Sequence, residues 1–265
     1  MITKNKSLLL LNKYFNNSGD NSVVNHSLAV SNNARRIAKK IKENGYEVDV
    51  NFIEIAALLH DIGRSKSHGT MHGIIGAKII MDELGDEKIA RVCKTHIGAG
   101  IAKDETKKLQ LPKEDYLPET LEEKIIAHAD NITFGTELAG IDKVLEKFER
   151  KLGKNHPSVN RIGKLNEFIE KLLTTTAEEN KIIENFKKEV MEKDVLNKIK
   201  WDQSFDPGDF SIHYPDRITG QLKQVNFNDI QIEGDFMKTN DSMIPMHRIR
   251  EIKYKNKIVW NKRRI

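Results

Sequence analysis

The chain has one cysteine, six prolines and no long apolar run among its 265 residues. A single thiol, Cys93, excludes an intrachain disulfide and a zinc site built from cysteines. The apolar run at 8–11 is too short for a secretory leader, and no stretch approaches the ~20 apolar residues of a transmembrane helix. We therefore expect a protein of the reducing cytoplasm that makes no membrane contact.

The charge of the chain is only mildly basic, +5 with a pI near 9.0. Such a balance suits an anionic substrate but does not establish nucleic-acid binding. The basic residues concentrate at the end, because residues 248–265 hold eight basic side chains and one acidic one. Tyr254 and Trp260 lie among them. Cationic and aromatic side chains together are typical of surfaces that bind phosphates and bases.

The scarcity of proline before residue 200 and the amphipathic periodicity predict a mostly helical N-terminal part. After about residue 200, short β-type runs alternate with turn residues. We place a domain boundary near residue 193, which gives domains 1–193 and 194–265. The predicted helices cover 8–15, 23–44, 50–61, 72–84, 87–96, 118–132, 137–151, 157–173 and 177–199. The predicted strands cover 210–214, 222–227, 230–232, 236–238, 249–254 and 258–260.

Metal-ligand side chains begin at one helix end. An apolar helix over 52–59 leads directly into His60-Asp61, and Gly63 is predicted to stop it. Further imidazoles and a carboxylate lie near other predicted helix ends. They are His26, His72, His96 and Asp130. Nitrogen and oxygen ligands together suit manganese, iron, cobalt, nickel or zinc, whereas calcium prefers all-oxygen sites.

This order of residues resembles the HD superfamily of metal-dependent phosphohydrolases, in its HDIG form. Leu58-Leu59-His60-Asp61-Ile62-Gly63 matches the core signature, and the resemblance covers roughly residues 20–140. The other matching segments are His26, Met71-His72-Gly73-Ile74-Ile75-Gly76-Ala77, Thr95-His96-Ile97 and Ala129-Asp130-Asn131. Five segments in the right order are far more specific than a lone His-Asp pair.

The resemblance implies an all-α HD-domain helical bundle with two divalent transition-metal ions. One ion would be held by His26, His60, Asp61 and Asp130. The other would be held by His72 and His96, with Asp61 bridging the two ions. Two metals ~3.5–4 Å apart can polarise a phosphoryl group and activate water, so that no nucleophilic side chain is needed. Asp61 and Arg64 are the predicted catalytic residues, Arg64 as a ligand of a phosphate oxygen.

Several of these assignments have simpler alternatives. His60-Asp61 could merely cap a helix, and His96 could be an ordinary helix-end histidine. His68 competes with His72 for the metal. We favour His72 because it starts a helix and is followed by Gly-x-x-Gly, which leaves His68 as a substrate-contacting or solvated residue. Arg64 could equally be a solvated cation at a helix end.

Two further histidines are interpreted as structural. His128 precedes Asp130 by two residues and faces away from it on a helix. His156 lies before Pro157 and beyond the resemblance, which predicts a surface turn. The helices between about residues 137 and 193 carry no chemical motif. They either complete the helical core and link the domains or form a homodimer contact.

Residues 194–265 resemble a second family, a small archaeal domain predicted to recognise RNA ends that carry a cyclic group. The matching segments are 194–202, 205–210, 214–217, 244–252 and 258–260. This predicts a small α+β, β-rich domain. Its substrate-binding candidates are Arg217, His247 and Arg248, with Arg64 and His68 in the first domain. Arginines pair with phosphates, a histidine can donate to a terminal phosphate, and aromatic rings stack on bases.

Alternation along a strand would put Arg248 and Arg250 on one face and His247 on the other, unless a bend intervenes. The alternative to binding is that the basic end of the chain is simply solvated. For the aromatic residues we favour the interpretation as core. These residues are Trp201, Phe205, Phe210 and Trp260.

Three functions remain open on this sequence. The sharpest is metal-dependent hydrolysis of a phosphate ester at an RNA end or on a nucleotide, in particular a 2′,3′-cyclic phosphate. The second is hydrolysis of free nucleotides, such as dinucleoside polyphosphates or nucleoside monophosphates. The third is a catalytically inactive RNA-binding adaptor, against which the full set of ligand residues speaks.

Overall fold

The computed structural model describes residues 2–16, 21–216, 219–240 and 242–262. It divides into two compact units, Met1–Thr176 and Ala177–Ile265. Each unit buries an apolar core of its own. The family boundary near residue 193 and the homodimer remain predictions. Within the described residues, no helix is both long and apolar enough to cross a bilayer.

The first unit consists of eight helices and one short hairpin among its described residues. The elements are α1 (Lys4–Phe15), α2 (Ser22–Glu43), α3 (Val50–Leu59), α4 (His72–Leu84), α5 (Glu87–Thr95), α6 (Leu121–Asn131), β1 (Thr133–Phe134), β2 (Glu137–Leu138), α7 (Ile141–Leu152) and α8 (Pro157–Thr174). A single 3₁₀ turn, Ile62–Ser65, separates α3 from the segment that leads to α4. The predicted helical bundle is confirmed.

Helix α2 lies at the centre of this unit and packs against α3 and α6. Its buried residues Val30, Ala34, Ile37 and Ile41 recur at helical spacing, which produces one continuous apolar stripe. The starts of its neighbours are fixed by side-chain caps. Asp49 accepts a hydrogen bond from the amide of Phe52, and Asp86 and Thr120 cap α5 and α6 in the same way.

Gly63 has a different role from the predicted one. The α-helix already ends at Leu59, and Gly63 lies inside the 3₁₀ turn without a positive φ. A Cβ atom on Gly63 would collide with the carbonyl oxygen of His72 and lie 2.6 Å from the amide nitrogen of Gly76. On the other side of α4, a Cβ on Gly73 would lie 2.7 Å from the carbonyl oxygen of Cys93. These glycines therefore let the 3₁₀ turn, α4 and α5 approach closely.

Two predicted helices of the first unit start later than expected. The helix predicted from 118 begins at Leu121, because the hydroxyl of Thr120 caps it. The helix predicted from 137 begins at Ile141, because residues 133–138 form the β1–β2 hairpin around Gly135, whose φ is +61°. Glycine tolerates this left-handed conformation, and a helix cannot continue through it.

The second unit combines two helices with antiparallel strands. Its elements are α9 (Ala177–Phe186), α10 (Glu192–Trp201), β3 (Phe210–Pro215), β4 (Leu222–Asn226), β5 (Gln231–Glu233), β6 (Phe236–Lys238), β7 (Met243–Pro245), β8 (Glu251–Tyr254) and β9 (Lys257–Asn261). One sheet has the order β4-β3-β8-β9, and the other has the order β5-β6-β7. The predicted α+β, β-rich class is confirmed.

Three details of the second unit differ from the predictions. The continuous helix expected over 177–199 is interrupted after Phe186, where the indole of Trp260 donates a hydrogen bond of 2.9 Å to the carbonyl of Val190. Strand β7 was missed. Residues 246–248 form a 3₁₀ turn, and β8 begins only at Glu251. This turn is the bend that the strand alternation of His247, Arg248 and Arg250 excepted, so the alternation does not apply to them.

The aromatic residues of the second unit divide into two groups. Phe205, Phe210 and Trp260 lie in the core, as the sequence suggests. Trp201 does not, because it ends α10 with 72% of its surface exposed. The interpretation of Trp201 as core is wrong. Position 201 falls on the solvent side of a helix whose buried apolar residues are Val195, Leu196 and Ile199.

Candidate metal centre

Five helical elements bring the predicted ligands of the first unit to one place. His60 directly follows α3, His72 is the first residue of α4, and His96 directly follows α5. His26 and Asp130 project from within α2 and α6. Asp61 immediately precedes the 3₁₀ turn. His60 and Asp61 are buried, with exposed fractions of 0% and 2%.

All four histidines are oriented by backbone carbonyls. The Nδ1 atoms of His60, His72 and His96 lie 2.7, 2.7 and 2.9 Å from the carbonyl oxygens three residues earlier, and Nδ1 of His26 lies 2.9 Å from that of Gly135. A carbonyl oxygen only accepts, so each Nδ1 carries the proton. Each ring therefore turns its Nε2 towards the centre, which is the arrangement of metal-binding histidines.

One group of converging atoms is formed by His72, His96 and Asp61. The two Nε2 atoms are 3.0 Å apart, and they lie 3.1 and 3.3 Å from Oδ1 of Asp61. With both Nδ1 atoms protonated, these are three electron-pair donors facing one another. Two ligand atoms ~2.1 Å from a shared ion are about 3.0–3.4 Å apart at angles between right and tetrahedral. The spacing therefore fits a common cation.

A second group contains His26, His60 and Asp130. Oδ1 of Asp130 lies 2.9 Å from Nε2 of His26 and 3.5 Å from Nε2 of His60. The other oxygen of Asp61, Oδ2, lies 3.7 Å from Nε2 of His60. The carboxylate of Asp61 thus presents one oxygen to each group. His60, Asp61 and His96 also satisfy the geometry of a metal-binding set, so the two groups overlap.

Two buried polar atoms of the centre have no hydrogen-bond partner among the described residues. They are Nε2 of His60 and Oδ1 of Asp61. A buried polar atom without a partner costs roughly 1–3 kcal/mol, which a coordinated cation would offset. The residues therefore fit a divalent metal of the first transition row, with imidazole nitrogen and carboxylate oxygen as ligands.

Burial and close neighbouring charges shift the pKa values of several side chains in the centre. Burial alone would lower the pKa of His60, but Asp61 and Asp130 outweigh it and raise that pKa to about 9. Burial would raise the pKa of Asp61, but His60, His72 and His96 hold it well below its usual range. Burial lowers the pKa of His96. The two carboxylates therefore favour positive charge at His60, as they would favour a bound cation.

The centre opens into a cleft of about 700 Å³. Arg64 lines it and donates a hydrogen bond of 2.5 Å from Nε to Oδ2 of Asp61. His68 is exposed and also lines the cleft, whereas His72 is buried in the cluster. Of the two rivals, the structure brings His72 to the centre and leaves His68 on the wall of the cleft.

The two histidines interpreted as structural stay outside the cluster. His128 is buried, and burial lowers its pKa to about 4. His156 is half-buried and caps α8, because its Nδ1 accepts a hydrogen bond of 3.3 Å from the amide of Ser158. The surface turn expected at His156 is thus a helix N-cap.

The candidates of the second unit are only partly brought together. Arg248 donates from Nη2 to the carbonyl of Pro215 at 2.8 Å. His247 is exposed, and its carbonyl accepts from Arg250 at 3.2 Å and from Lys262. Arg217 lies outside the described residues. These contacts employ the backbone of His247, so its ring takes no part in them.

Sequence reasoning missed several residues that shape these sites. The orienting carbonyls of Ala57, Gly69 and Cys93 could have been found, because each precedes its histidine by three residues. The carbonyl of Gly135 is distant in sequence and gave no signal. In the second unit, Ser211 and His213 form a buried pair with Oγ and Nε2 3.2 Å apart. Strand pairing, which the sequence did not reveal, buries that pair.

Several known proteins are similar to this chain. The uncharacterized protein MJ0778 of Methanocaldococcus jannaschii is 56% identical over 152 residues, which are 57% of this chain and 90% of that protein. The tRNA (cytidine(56)-2′-O)-methyltransferases of Thermoplasma volcanium and Picrophilus torridus are 38% and 39% identical. Those matches cover 60% and 57% of this chain but only 44% and 42% of the two enzymes.

Two solved structures show weaker similarity, both of the HD domain of the L. monocytogenes phosphodiesterase PgpH. The first is 19% identical, with a TM-score of 0.38, and covers 62% of this chain and 96% of that domain. The second is a complex with cyclic-di-AMP. It is 17% identical, with a TM-score of 0.42, and covers 75% of this chain and 99% of that domain.

Family models match both parts of the chain. The HD domain model matches residues 23–135, which contain the whole histidine and aspartate cluster. The MJ1316 RNA cyclic group end recognition domain model matches residues 191–262. The chain therefore belongs to the HD domain family and carries, after that domain, an RNA cyclic group end recognition domain.

Proposed function

We propose that this protein is a metal-dependent phosphohydrolase that acts on the phosphate esters of RNA ends or nucleotides. The observation that carries the proposal is the orientation of four imidazoles, each holding its Nδ1 proton on a carbonyl and pointing Nε2 at a carboxylate oxygen or at another Nε2. His26, His60, Asp61 and Asp130 would hold one ion. His72, His96 and the second oxygen of Asp61 would hold another.

Metal ions held there would polarise the phosphoryl group and lower the pKa of a water molecule. Manganese, iron, cobalt, nickel and zinc all suit these ligands. Asp61 keeps both groups at a fixed separation. Arg64 orients Asp61 through its Nε, and its guanidinium lines the cleft where a phosphate oxygen would lie. His68, on the wall of the same cleft, is a candidate for contacting substrate.

The sharpest form of the proposal is hydrolysis of a 2′,3′-cyclic phosphate. Water adds to phosphorus, one ester P–O bond of the ring breaks, and the released ribose oxygen takes a proton. The domain matched over 191–262 supports this substrate through its family's description. Arg217, His247 and Arg248 are its candidate ligands for the RNA end. Two relatives named as tRNA methyltransferases also suggest an RNA partner.

The test is turnover of an oligonucleotide that ends in a 2′,3′-cyclic phosphate, with manganese- or nickel-loaded full chain. We expect a phosphomonoester product, and a loss of at least about 10²-fold in Asp61→Ala. His128→Gln is the matched control, because His128 is buried outside the cluster. No turnover of any phosphate ester, or equal turnover in Asp61→Ala, would exclude the proposal.

A second candidate, hydrolysis of free nucleotides, is favoured by the size of the cleft. About 700 Å³ accommodates a nucleotide-sized ligand within the first unit alone. A chain ending at Thr176 separates the two candidates. Activity on free nucleotides should persist in it, whereas processing of RNA ends should fall.

A further inference from the structure

One wall of the cleft is built from residues that the metal chemistry does not use. Helix α7 contributes Lys147, Phe148 and Lys151, and the β1–β2 hairpin contributes Phe134. We call these four residues the lysine wall. Lys147 and Lys151 are four residues apart in one helix, so their side chains share a face. Both are exposed, and both line the cleft that contains His26, His72 and Asp130.

The charge of the cleft is unbalanced in favour of an anion. Its acidic lining residues are Asp61 and Asp130, and both already face the histidines of the centre. Among the residues that the structure describes, neither Lys147 nor Lys151 forms an ion pair. These two ammonium groups lie in addition to the guanidinium of Arg64. The cleft thus holds more cationic side chains than one phosphate at the metals requires.

The ring of Phe134 lines the same cleft and lies under Lys147. The ammonium of Lys147 rests 3.9 Å from the centroid of this half-buried ring. An exposed contact between a cation and a ring is weaker than a charge-assisted hydrogen bond to phosphate. A phosphate in the cleft can therefore draw Lys147 away. The face of Phe134 that Lys147 leaves can then stack on a nucleobase.

We propose that the lysine wall binds a second phosphate and a base of the substrate while the reacting phosphate lies at the histidine cluster. The substrate class is then a dinucleotide or the terminal nucleotides of an RNA chain, and not a nucleoside monophosphate. This inference rests on the proposed function. It adds Lys147, Lys151 and Phe134 as specificity-determining residues.

The experiment measures binding, so that it does not depend on turnover. Isothermal titration of the manganese-loaded full chain would compare a phosphorothioate-linked adenosine dinucleotide carrying a 5′-phosphate with adenosine 5′-monophosphate. In the double variant Lys147→Gln/Lys151→Gln, we expect the dinucleotide to bind at least about tenfold more weakly and the monophosphate to change by less than about threefold. Phe134→Leu should also weaken dinucleotide binding by about tenfold.

The matched control is Lys143→Gln, because Lys143 is exposed on α7 and does not line the cleft. Thermal unfolding of each variant, and of Phe134→Leu above all, verifies that the helical core is intact. Equal dinucleotide affinity in the double variant and the control would overturn the inference. So would a wild-type dinucleotide affinity no higher than that for the monophosphate. Lysine-dependent binding, combined with no turnover of any phosphate ester in the test of the proposed function, would instead contradict only the proposed function.

Discussion

The histidines of the cluster owe their function to hydrogen bonds that begin in the local sequence. Three of them bind the carbonyl three residues earlier, which is possible because each stands at a helix end or in its first turn. The ring orientation of His60, His72 and His96 therefore depends on contacts that are close in the sequence. Asp61 and Asp130 must then supply the negative charge, and tertiary packing brings them there.

The proton on His60 predicts how metal affinity depends on pH. The carboxylates around His60 raise its pKa to about 9, so the metal-free protein carries this proton at neutral pH. Metal binding needs the neutral ring, so affinity should increase by up to about tenfold per pH unit between pH 6 and 8.5. Titration of manganese in buffers of different ionisation enthalpy should show close to one proton released at pH 7.

The control for this prediction is His128→Gln, which removes a buried histidine outside the cluster and should retain the same pH dependence. A manganese affinity that stays constant from pH 6 to 8.5, with no proton released, would contradict the protonated state assigned to His60.

The elements around the cluster depend on close backbone approaches that glycine permits. The 3₁₀ turn Ile62–Ser65 and α4 meet at Gly63, where no side chain fits. The pattern His-Asp-Ile-Gly therefore encodes a packing contact in addition to two proposed metal ligands. The Gly73-Ile74-Ile75-Gly76 segment does the same between α4 and its neighbours.

The variant Gly63→Ala tests this contact. The added methyl group would meet backbone atoms of α4, which cannot give way as a flexible side chain can, so we expect a loss of at least about 2 kcal/mol in the free energy of unfolding. Displacement of Asp61 should also reduce the bound metal. Urea unfolding and metal analysis measure the two effects.

Gly163→Ala is the matched control, because a Cβ there has open space within α8. It should stabilise the helix by about 0.5–1 kcal/mol. An equal free energy of unfolding for Gly63→Ala and the native chain would contradict the close contact of the 3₁₀ turn with α4.

Much of the first unit was predictable because helical periodicity, caps and the ligand pattern agree. The errors arose where a distant contact overrides local preference. The carbonyl of Val190 accepts from Trp260, and helix α9 ends before it. Residues 246–248 turn where alternation suggested a strand. The residues of the cluster were identifiable from their order, but the contact of His26 with the carbonyl of Gly135 and the lysine wall of the cleft required three-dimensional positions.

The whole molecule combines a helical unit that holds the cluster with a β-rich unit that carries the end-recognition match. The 152 residues matched in MJ0778 make up 90% of that protein and 57% of this chain. On the proposed function, the helical unit would cleave the phosphate ester and its lysine wall would select substrates with a second phosphate. The second unit would bind the RNA end.

The metal content of the full chain is the most direct test of the account. After loading with manganese and removal of excess ion, plasma spectrometry should find about two ions per chain in the native protein. It should find about one or fewer in Asp61→Ala, because that carboxylate serves both groups. Less than one ion per native chain, or no difference between the native chain and Asp61→Ala, would contradict a shared two-metal centre.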